Sequence, residues 1–449
     1  MSLTKPLDDN FAVREVLIVG GGLAGLAAAS ALVRVAEISS VRILEACSEE
    51  SFADESAGAA IQLGPNGLKA LKYLFADDGE NVVKEIISKG MSTKGNVLLG
   101  LPGVGKMTIP DKAEENTGLP QVLIPWGTLR ATLKSFLPDS VEIVTGTGSS
   151  IVGYNIEDCG GVSPITASVN AILDEHWKIP TLIVGADGKR STFRQLVRTK
   201  STTLRTSSLT SLRDERGIDL NHGSRTNIKA VVQMPISSST GDYVYESNHS
   251  YSYFAPGGGV ALFAGPAGSG YTYWAISIAD APNENGDGPG TPFASEGDNT
   301  TKIKESLLRK LSELTYPTPE CDFCRILVEK TPPSKILIQR SEEAMNIGPS
   351  LHTEDGRVVL VGDAAHAMSG SYGQAANFCF EDAATLAACL RGLKAGGDVK
   401  GALDKYSSER VQRCIEMQER SSERAAKSMK GEKVEDVSEW IFRWEAPSF

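Results

Sequence analysis

Gly20, Gly22 and Gly25 stand in G-x-G-x-x-G spacing, directly after the apolar run Val16–Val19 and at the start of a small-residue stretch from Leu23 to Val35. That pattern suits a strand, a tight turn and a helix. Gly20 allows the turn, Gly22 lets backbone approach a pyrophosphate, and Gly25 lets helix and strand pack closely. The first helical residues, Leu23 and Ala24, then direct free N–H groups and the positive end of the helix dipole at the phosphates. Val41–Leu44 reads as a second strand, and Glu45 closes it about 20 residues beyond Gly25. A carboxylate there accepts from both ribose hydroxyls of an adenosine and repels a 2′-phosphate, so the spacing points to FAD or NAD rather than NADP. The competing reading is a glycine turn beside a surface glutamate.

Two more strand ends carry polar chemistry. Thr181–Gly188 is a buried-type strand ending Gly-Ala-Asp187-Gly188, before Ser191–Arg194 opens a helix. Arg357–His366 is another, ending in Gly362-Asp363, where the carboxylate could reach a ribityl or ribose hydroxyl. In a doubly wound parallel sheet, ligands sit at the carboxyl ends of the strands, so these ends should meet beside the first glycine turn.

The elements that must position these groups follow from periodicity. Leu68, Leu71, Leu74 and Phe75 fall on one helical face, as do Leu129, Leu133 and Phe136, with Arg130 in the first turn. Val141–Val144 and Ala167–Leu173 read as strands of a small sheet, and 199–226 as a linker or mobile loop. From 228 to 280 the texture becomes β, as an antiparallel meander forming a separate lobe. Ala281–Thr300 reads as an exposed loop, Lys302–Leu314 and Phe378–Leu390 as helices, and Ala402–Met429 as a charged helix. Val434, Val437, Trp440, Ile441 and Trp444 make a stripe expected to dock on the body rather than on a membrane or partner.

Composition bounds the partners. A net charge of −11 over 449 residues argues against a general nucleic-acid or anionic-membrane footprint. Cys321-x-x-Cys324 has no second pair, which argues against zinc; no metal is expected, and the cysteines read as reduced thiols in a cytoplasmic setting. No apolar leader stands in the first residues and no apolar run reaches a membrane span, so neither a secretory signal nor a transmembrane segment is expected.

The glycine motif with Glu45, the Asp187-Gly188 motif and the Gly362-Asp363 motif followed by Ala-Ala-His366, in that order, resemble the single-component (class A) FAD-dependent monooxygenases, the para-hydroxybenzoate-hydroxylase-like family. Gly58–Asn66 and Leu129-Arg130 also look like the family's intervening segments, so the likeness spans most of 13–390. The resemblance implies an α/β fold. A doubly wound, Rossmann-like FAD-binding domain of glutathione-reductase type would use 1–75, 105–200 and 335–395. A mainly antiparallel β substrate domain would use 76–104 and 201–334, with C-terminal helices over 396–449. Glu45 would hold the adenosine ribose with Ala46 beside it, and Arg130 the pyrophosphate and ribityl side. Asp187 and Gly188 would serve FAD and the visiting NAD(P)H. Asp363, after Gly362, would bind a ribityl hydroxyl. Gly373, Gln374, Ala375, Ala376 and Asn377 would lie along the isoalloxazine, with Gly370 nearby. Three positions depart from the family pattern: Gly370 replaces a proline, Ala375 a glycine, and Ala46 an arginine.

The implied activity is insertion of one oxygen atom of O2 into an aromatic or conjugated small molecule, driven by NAD(P)H through a flavin C4a-hydroperoxide, by a monomer or homodimer. Epoxidation of an isolated alkene, an oxygen-independent FAD-dependent reductase and a non-catalytic flavin-binding module are the rivals. Tyr251, Tyr253, Phe263, Tyr273 and Trp274 are candidates to face the substrate, although alternation turns about half of such residues away. His222 and His249 are weaker candidates for bases toward a phenol, and His366 reads as a structural group holding its loop.

Overall fold

In a computed structural model of the chain, the described residues are 13, 15–101, 105–146, 151–166, 179–203, 220–233, 248–255, 259–282, 289–290, 299–313, 319–344, 347–368, 370–393, 397–430 and 435–448. Five parallel strands form the central sheet, in the spatial order Val358–Leu360, Leu182–Gly185, Glu15–Val19, Ser40–Leu44 and Val141–Val144. Continuous apolar runs suit strands covered on both faces, and Val16 through Val19 are at most 3% exposed. The order explains the site: Glu15–Val19 sits between the strands that end in Gly185 and Leu44, so the first glycine turn emerges between Asp187 and Glu45.

Val141–Val144 was expected in a small separate sheet. It instead adds to the edge of the parallel sheet, Val41 pairing with Val141 and Leu44 with Val144. Its partner lies about a hundred residues away, a pairing that local pattern cannot specify. Ala167–Leu173 lies outside the described residues. The helix Leu23–Arg34 packs on the helix Ala375–Leu390, and both are alanine-rich, which lets their backbones approach closely.

The second large sheet has seven strands, ordered Leu337–Ala344, Leu220–Gln233, Tyr271–Ala279, Val260–Gly268, His249–Phe254, Gly95–Leu101 and Gly105–Pro110. All neighbours are antiparallel except His249–Phe254 with Gly95–Leu101. The expected meander is present at its centre. The strands Gly105–Pro110 and Leu337–Ala344, grouped on sequence with the FAD-binding part, join this sheet instead, the first through a hairpin with Gly95–Leu101 and the second by pairing with Leu220–Gln233. Part of the expected linker, from Leu220 onward, is strand. The helices Thr300–Glu313 and Pro319–Lys330 cover one face, where Ile303, Leu307, Leu327 and Val328 close a core around Trp274. A smaller sheet of Ala60–Leu63, Val122–Pro125 and Met91–Ser92 completes this region.

The long helix Val399–Lys430 packs on Ala375–Leu390, and the short helix Ser438–Phe442 follows it. The expected docking stripe is buried at Val437 and Ile441, and Phe442 beside them is buried too. Arg413 and Arg420 lie against the Trp440 ring at 4.6 and 4.9 Å. Val434 lies outside the described residues. Among the described residues, no helix is long and apolar enough to cross a membrane.

Candidate cofactor and active site

Gly20 takes a φ of +110°, in the region that favours glycine, and a Cβ there would strike the Ala186 carbonyl. A Cβ on Gly25 would sit on the carbonyl oxygen of Gly20. Turn, helix and neighbouring strand end are therefore in backbone contact. Gly22 differs: a Cβ there meets nothing within 4 Å. It precedes a helix start with no side-chain cap, so the helix presents uncapped N–H groups to open space. Glu45 stands beside this turn, accepting from Gly21 N at 2.6 Å and Cys47 N at 2.9 Å. Those bonds fix its carboxylate and leave lone pairs for a ribose.

Arg130 is buried against the rings of Phe52 and Trp126, 4.9 and 4.5 Å away. Its Nη2 donates to Ser51 O and Asp54 O at 3.0 and 3.2 Å, while its buried Nε has no partner among the described residues. Burial pulls its pKa down, against the pull of Cys47, Glu45 and Asp54. The solvated charge that a lone arginine would usually mean is not what the fold contains.

The Asp187 carboxylate turns back into its own helix. Its two oxygens accept from Ser191 Oγ at 2.5 Å and Thr192 N at 2.7 Å, which anchors the start of Thr192–Thr199. Burial raises its pKa, against those hydrogen bonds. Gly188 follows with φ +79°. Sequence reasoning missed Arg194, which ties this motif to the next. Its Nη1 donates to Asp363 O and Ala364 O, both at 3.0 Å, and its Nη2 to Lys189 O. The signal was only an arginine at the third helical position.

Asp363 begins the turn Asp363–His366, and its carboxylate has no hydrogen-bond partner among the described residues. Burial raises its pKa, while the cations His366, Lys189, Arg194 and Lys229 pull it down. His366 points away from the cleft. Its Nε2 meets Asp382 Oδ2 at 2.6 Å with both side chains fully buried. Burial opposes its charge, but the Asp382 carboxylate prevails and keeps the imidazolium, with a pKa well above the usual 6.5. His366, Asp382 and Cys414 cluster as metal ligands do, yet Asp382 is committed: Oδ2 also accepts from Gly362 N at 2.8 Å and Oδ1 from Arg410 Nε at 2.7 Å.

The segment Gly373–Asn377 was expected to lie along a flavin ring. Asn377 is fully buried and clamps the chain beneath it, accepting from Gly64 N at 2.8 Å and donating to Gln62 O and Gly373 O. Gln374 accepts from Asn66 Nδ2 at 3.1 Å. Asn377 thereby satisfies buried backbone groups of Gln62 and Gly64 that need partners. Gly370 stands in open space, and Tyr372 beside it is held by Arg424 over its ring at 4.3 Å and by Glu435 O accepting from its hydroxyl at 3.3 Å.

The substrate candidates divide by face. Tyr251, Tyr253 and Trp274 turn into the helix-covered core, where Trp274 Nε1 donates to Thr331 Oγ1 at 2.9 Å; they are the candidates that alternation turns away from the open face. Phe263 and Tyr273 face the opposite way. His249 is half-buried on the strand paired with Gly95–Leu101, and the side chain of His222 lies outside the described residues.

The residues fit FAD: an open approach at Gly22, an orphaned Nε on Arg130 and an unengaged carboxylate on Asp363 lie along one side of the parallel sheet. Comparison with known proteins decides the family. Residues 345–421 match the profile of an FAD binding domain. Over 402 residues the chain is 29% identical to aurachin C monooxygenase/isomerase of Stigmatella aurantiaca, covering 89% of this chain and 85% of the relative. This chain is a class A FAD-dependent monooxygenase. The monooxygenase is also 25% identical over 410 residues to 3-amino-4-hydroxybenzoate 2-monooxygenase of Streptomyces cremeus, covering 91% of this chain and 86% of that one. Its fold matches Klebsiella pneumoniae HpxO, solved with FAD and uric acid, with a TM-score of 0.68 at 18% identity over 98% and 95% of the two chains.

With FAD as its cofactor, Asp363 provides a direct test. Removing an acceptor bonded to a ribityl hydroxyl costs about 1.5–3 kcal/mol, or roughly tenfold to a hundredfold in affinity. Asp363→Ala is expected to weaken FAD binding by that factor, read by fluorescence titration of apoprotein, with thermal stability little changed. An unaltered dissociation constant would remove Asp363 from the flavin site.

Proposed function

We propose that this monooxygenase uses NAD(P)H and O2 to hydroxylate a small aromatic or conjugated substrate held between the parallel sheet and the open face of the seven-stranded sheet. The observation that carries this is the convergence of the three strand-end motifs beside that face: Asp363 lies within electrostatic reach of Lys229 on the strand Leu220–Gln233. Bound FAD supplies hydride acceptance and oxygen activation; the chain supplies position and dryness. The turn at Gly20–Gly25 and Arg130 hold the pyrophosphate, Glu45 the adenosine ribose and Asp363 the ribityl chain. Asp187 acts on the cofactor indirectly, by fixing the turn at Gly188. The backbone of Gly373–Ala376 borders the ring, with Asn377 fixing that backbone from behind.

In this division of labour, the parallel sheet with its helices binds FAD, the seven-stranded sheet binds substrate, and the C-terminal helices brace the loop at Gly370–Tyr372. The aromatic substrate named for the Streptomyces relative and the uric acid in the Klebsiella structure support an electron-rich ring as the substrate class.

Purified protein is expected to carry FAD and to oxidise NADH or NADPH faster when a suitable phenol is added under oxygen, with label from isotopic dioxygen in the product. Stimulated oxidation that yields only peroxide, across a broad panel of aromatics, would overturn hydroxylation. Label in an epoxide of an alkene would redirect the assignment to epoxidation.

A further inference from the structure

The segment Gly370–Ala376, read above as the border of the flavin ring, is held differently at its two ends. Asn377 clamps the far end from beneath, donating to Gln62 O and Gly373 O. At the near end the carbonyl of Ala367 accepts from Gln418 Nε2 at 3.2 Å, and beyond it Gly370 stands in open space. Glycine backbone with no neighbour to lean on is permissive. Tyr372 ties this end down. The guanidinium of Arg424, on the helix Val399–Lys430, lies 4.3 Å from the centre of its ring, and the Glu435 carbonyl accepts from its hydroxyl at 3.3 Å.

The stretch that supplies the Glu435 carbonyl also reaches the rear of the segment. Lys69 Nζ donates to Phe442 O and Trp444 O at 3.2 and 3.4 Å and pairs with Glu445. The Phe442 ring lies so near Gly64 that a Cβ there would meet it at 2.9 Å. Arg413 makes the third connection. Its Nη2 donates to Ile441 O at 3.0 Å and to Glu381 Oε1 at 2.9 Å. Glu381 Oε1 accepts in turn from Asn66 Nδ2 at 2.7 Å, which also donates to Gln374 Oε1 at 3.1 Å. One short stretch therefore touches Tyr372 directly and Gln374 through Asn66. It sits on the body through three buried apolar side chains, Val437, Ile441 and Phe442, and through the Trp440 ring between Arg413 and Arg420. Each cation–ring contact is modest by itself, so the stretch belongs to the parts of a fold that open at low free energy.

We propose that residues 435–445 form a strap that positions the flavin ring: by holding Tyr372 and the Gly64–Asn66 turn at once, it fixes the backbone of Gly370–Ala376 against the ring and keeps water from that edge. This rests on the reading of Gly370–Ala376 as the border of the ring, and adds the groups that control it. Arg424, Trp440 and Tyr372 are positioning residues, acting through that backbone. A dry, fixed ring edge is what the chain contributes to oxygen chemistry on the cofactor.

The test uses full-length, FAD-loaded Arg424→Gln and Trp440→Ala. Amide hydrogen exchange read by mass spectrometry reports backbone opening at 370–376. Iodide quenching of the flavin emission, with chloride holding the ionic strength constant, reports exposure of the ring. Both variants are expected to speed exchange at 370–376 by roughly threefold to thirtyfold, as loss of a cation–ring contact allows. Both should also raise the iodide quenching constant several-fold and leave exchange at Val16–Val19 unchanged. Arg424→Lys keeps a cation over the Tyr372 ring and should restore both readings. Wild-type exchange at 370–376 in Arg424→Gln and Trp440→Ala overturns the strap. Faster exchange at Val16–Val19 as well does the same, since it means general loosening. Gly373→Ala separates the two readings, because Gly373 has φ +65° and a side chain there strains the bordering segment itself. Raised quenching in Gly373→Ala with wild-type quenching in the strap variants removes the strap and leaves the border. Faster exchange at 370–376 with wild-type quenching in all three variants removes the border, and the strap's hold on the ring with it.

Discussion

Gly25→Ala is expected to yield protein that neither retains FAD nor melts at the wild-type temperature. The added methyl would occupy the position of the Gly20 carbonyl oxygen. Neither side can yield cheaply, because Ile18, Leu26 and Ala27 around the contact are fully buried. Overpacking of this kind costs about 1–3 kcal/mol, and it displaces the helix start that faces the pyrophosphate. Gly22→Ala is the matched control. Its methyl meets no protein atom within 4 Å, so the fold should keep its melting temperature while the methyl enters the path of the phosphates. The ratio of flavin to protein absorbance after gel filtration, taken with a thermal melt, separates the two effects. Wild-type flavin content in Gly22→Ala would move the pyrophosphate away from this turn.

Arg410→Met should be the most destabilising single change among the buried polar residues. Arg410 is 1% exposed and lies between Glu381 and Asp382, both fully buried, with Nη1 to Glu381 Oε2 and Nε to Asp382 Oδ1 at 2.7 Å each. Removing one member of such a network leaves a buried charge uncompensated, at a cost of about 3–5 kcal/mol. Burial works against the Asp382 carboxylate, but His366 and Arg410 overcome it and bring its pKa down from 3.8 to about 2. Its stabilisation is complete above its ordinary value and is lost as pH falls toward 2. His366 runs the other way: its raised pKa gives stability that is complete below 6.5 and lost as pH rises through the native value. The variant should lose the Arg410 part of the Asp382 effect, His366 retaining the rest, so its acid unfolding begins at higher pH, seen in urea midpoints measured by circular dichroism across the acid range. A wild-type acid limb in the variant would contradict the network's role.

What the sequence made legible follows from the range of the forces involved. The first glycine turn could be read because its constraints act within a few residues: a turn at Gly20, a close approach at Gly25. Glu45 and Asp363 were legible for the same reason, each closing a strand that its own apolar run declares. Val141–Val144 showed itself as a strand, but its place in the parallel sheet depends on Val41, far away in sequence. Alternation separated Tyr273 from Trp274 without saying which of them meets the helices, because that depends on Leu307 and Leu327. The hydrogen bonds of Asn377 were not legible, because its partners, Gly64 N and Gln62 O, lie more than three hundred residues upstream. Arg194 and Arg410 carried no local mark at all; only their partners reveal their function.

The buried seam that joins Asn66 to Glu381 has a consequence for how the protein is made. Asn66 and Glu381 are separated by 315 positions and Gly64 and Asn377 by 313. At roughly 5–20 residues per second, the first of each pair waits on the order of 16–63 s for its partner to be synthesised. During that interval the alanine-rich face of Leu23–Arg34 lacks the helix that covers it, and Val358–Leu360 has not yet joined the sheet. The seven-stranded sheet, which is closed by Leu337–Ala344, can form earlier. The seven-stranded sheet can therefore be complete before the parallel sheet, whose edge strand Val358–Leu360 and covering helix Ala375–Leu390 belong to the last quarter of the chain.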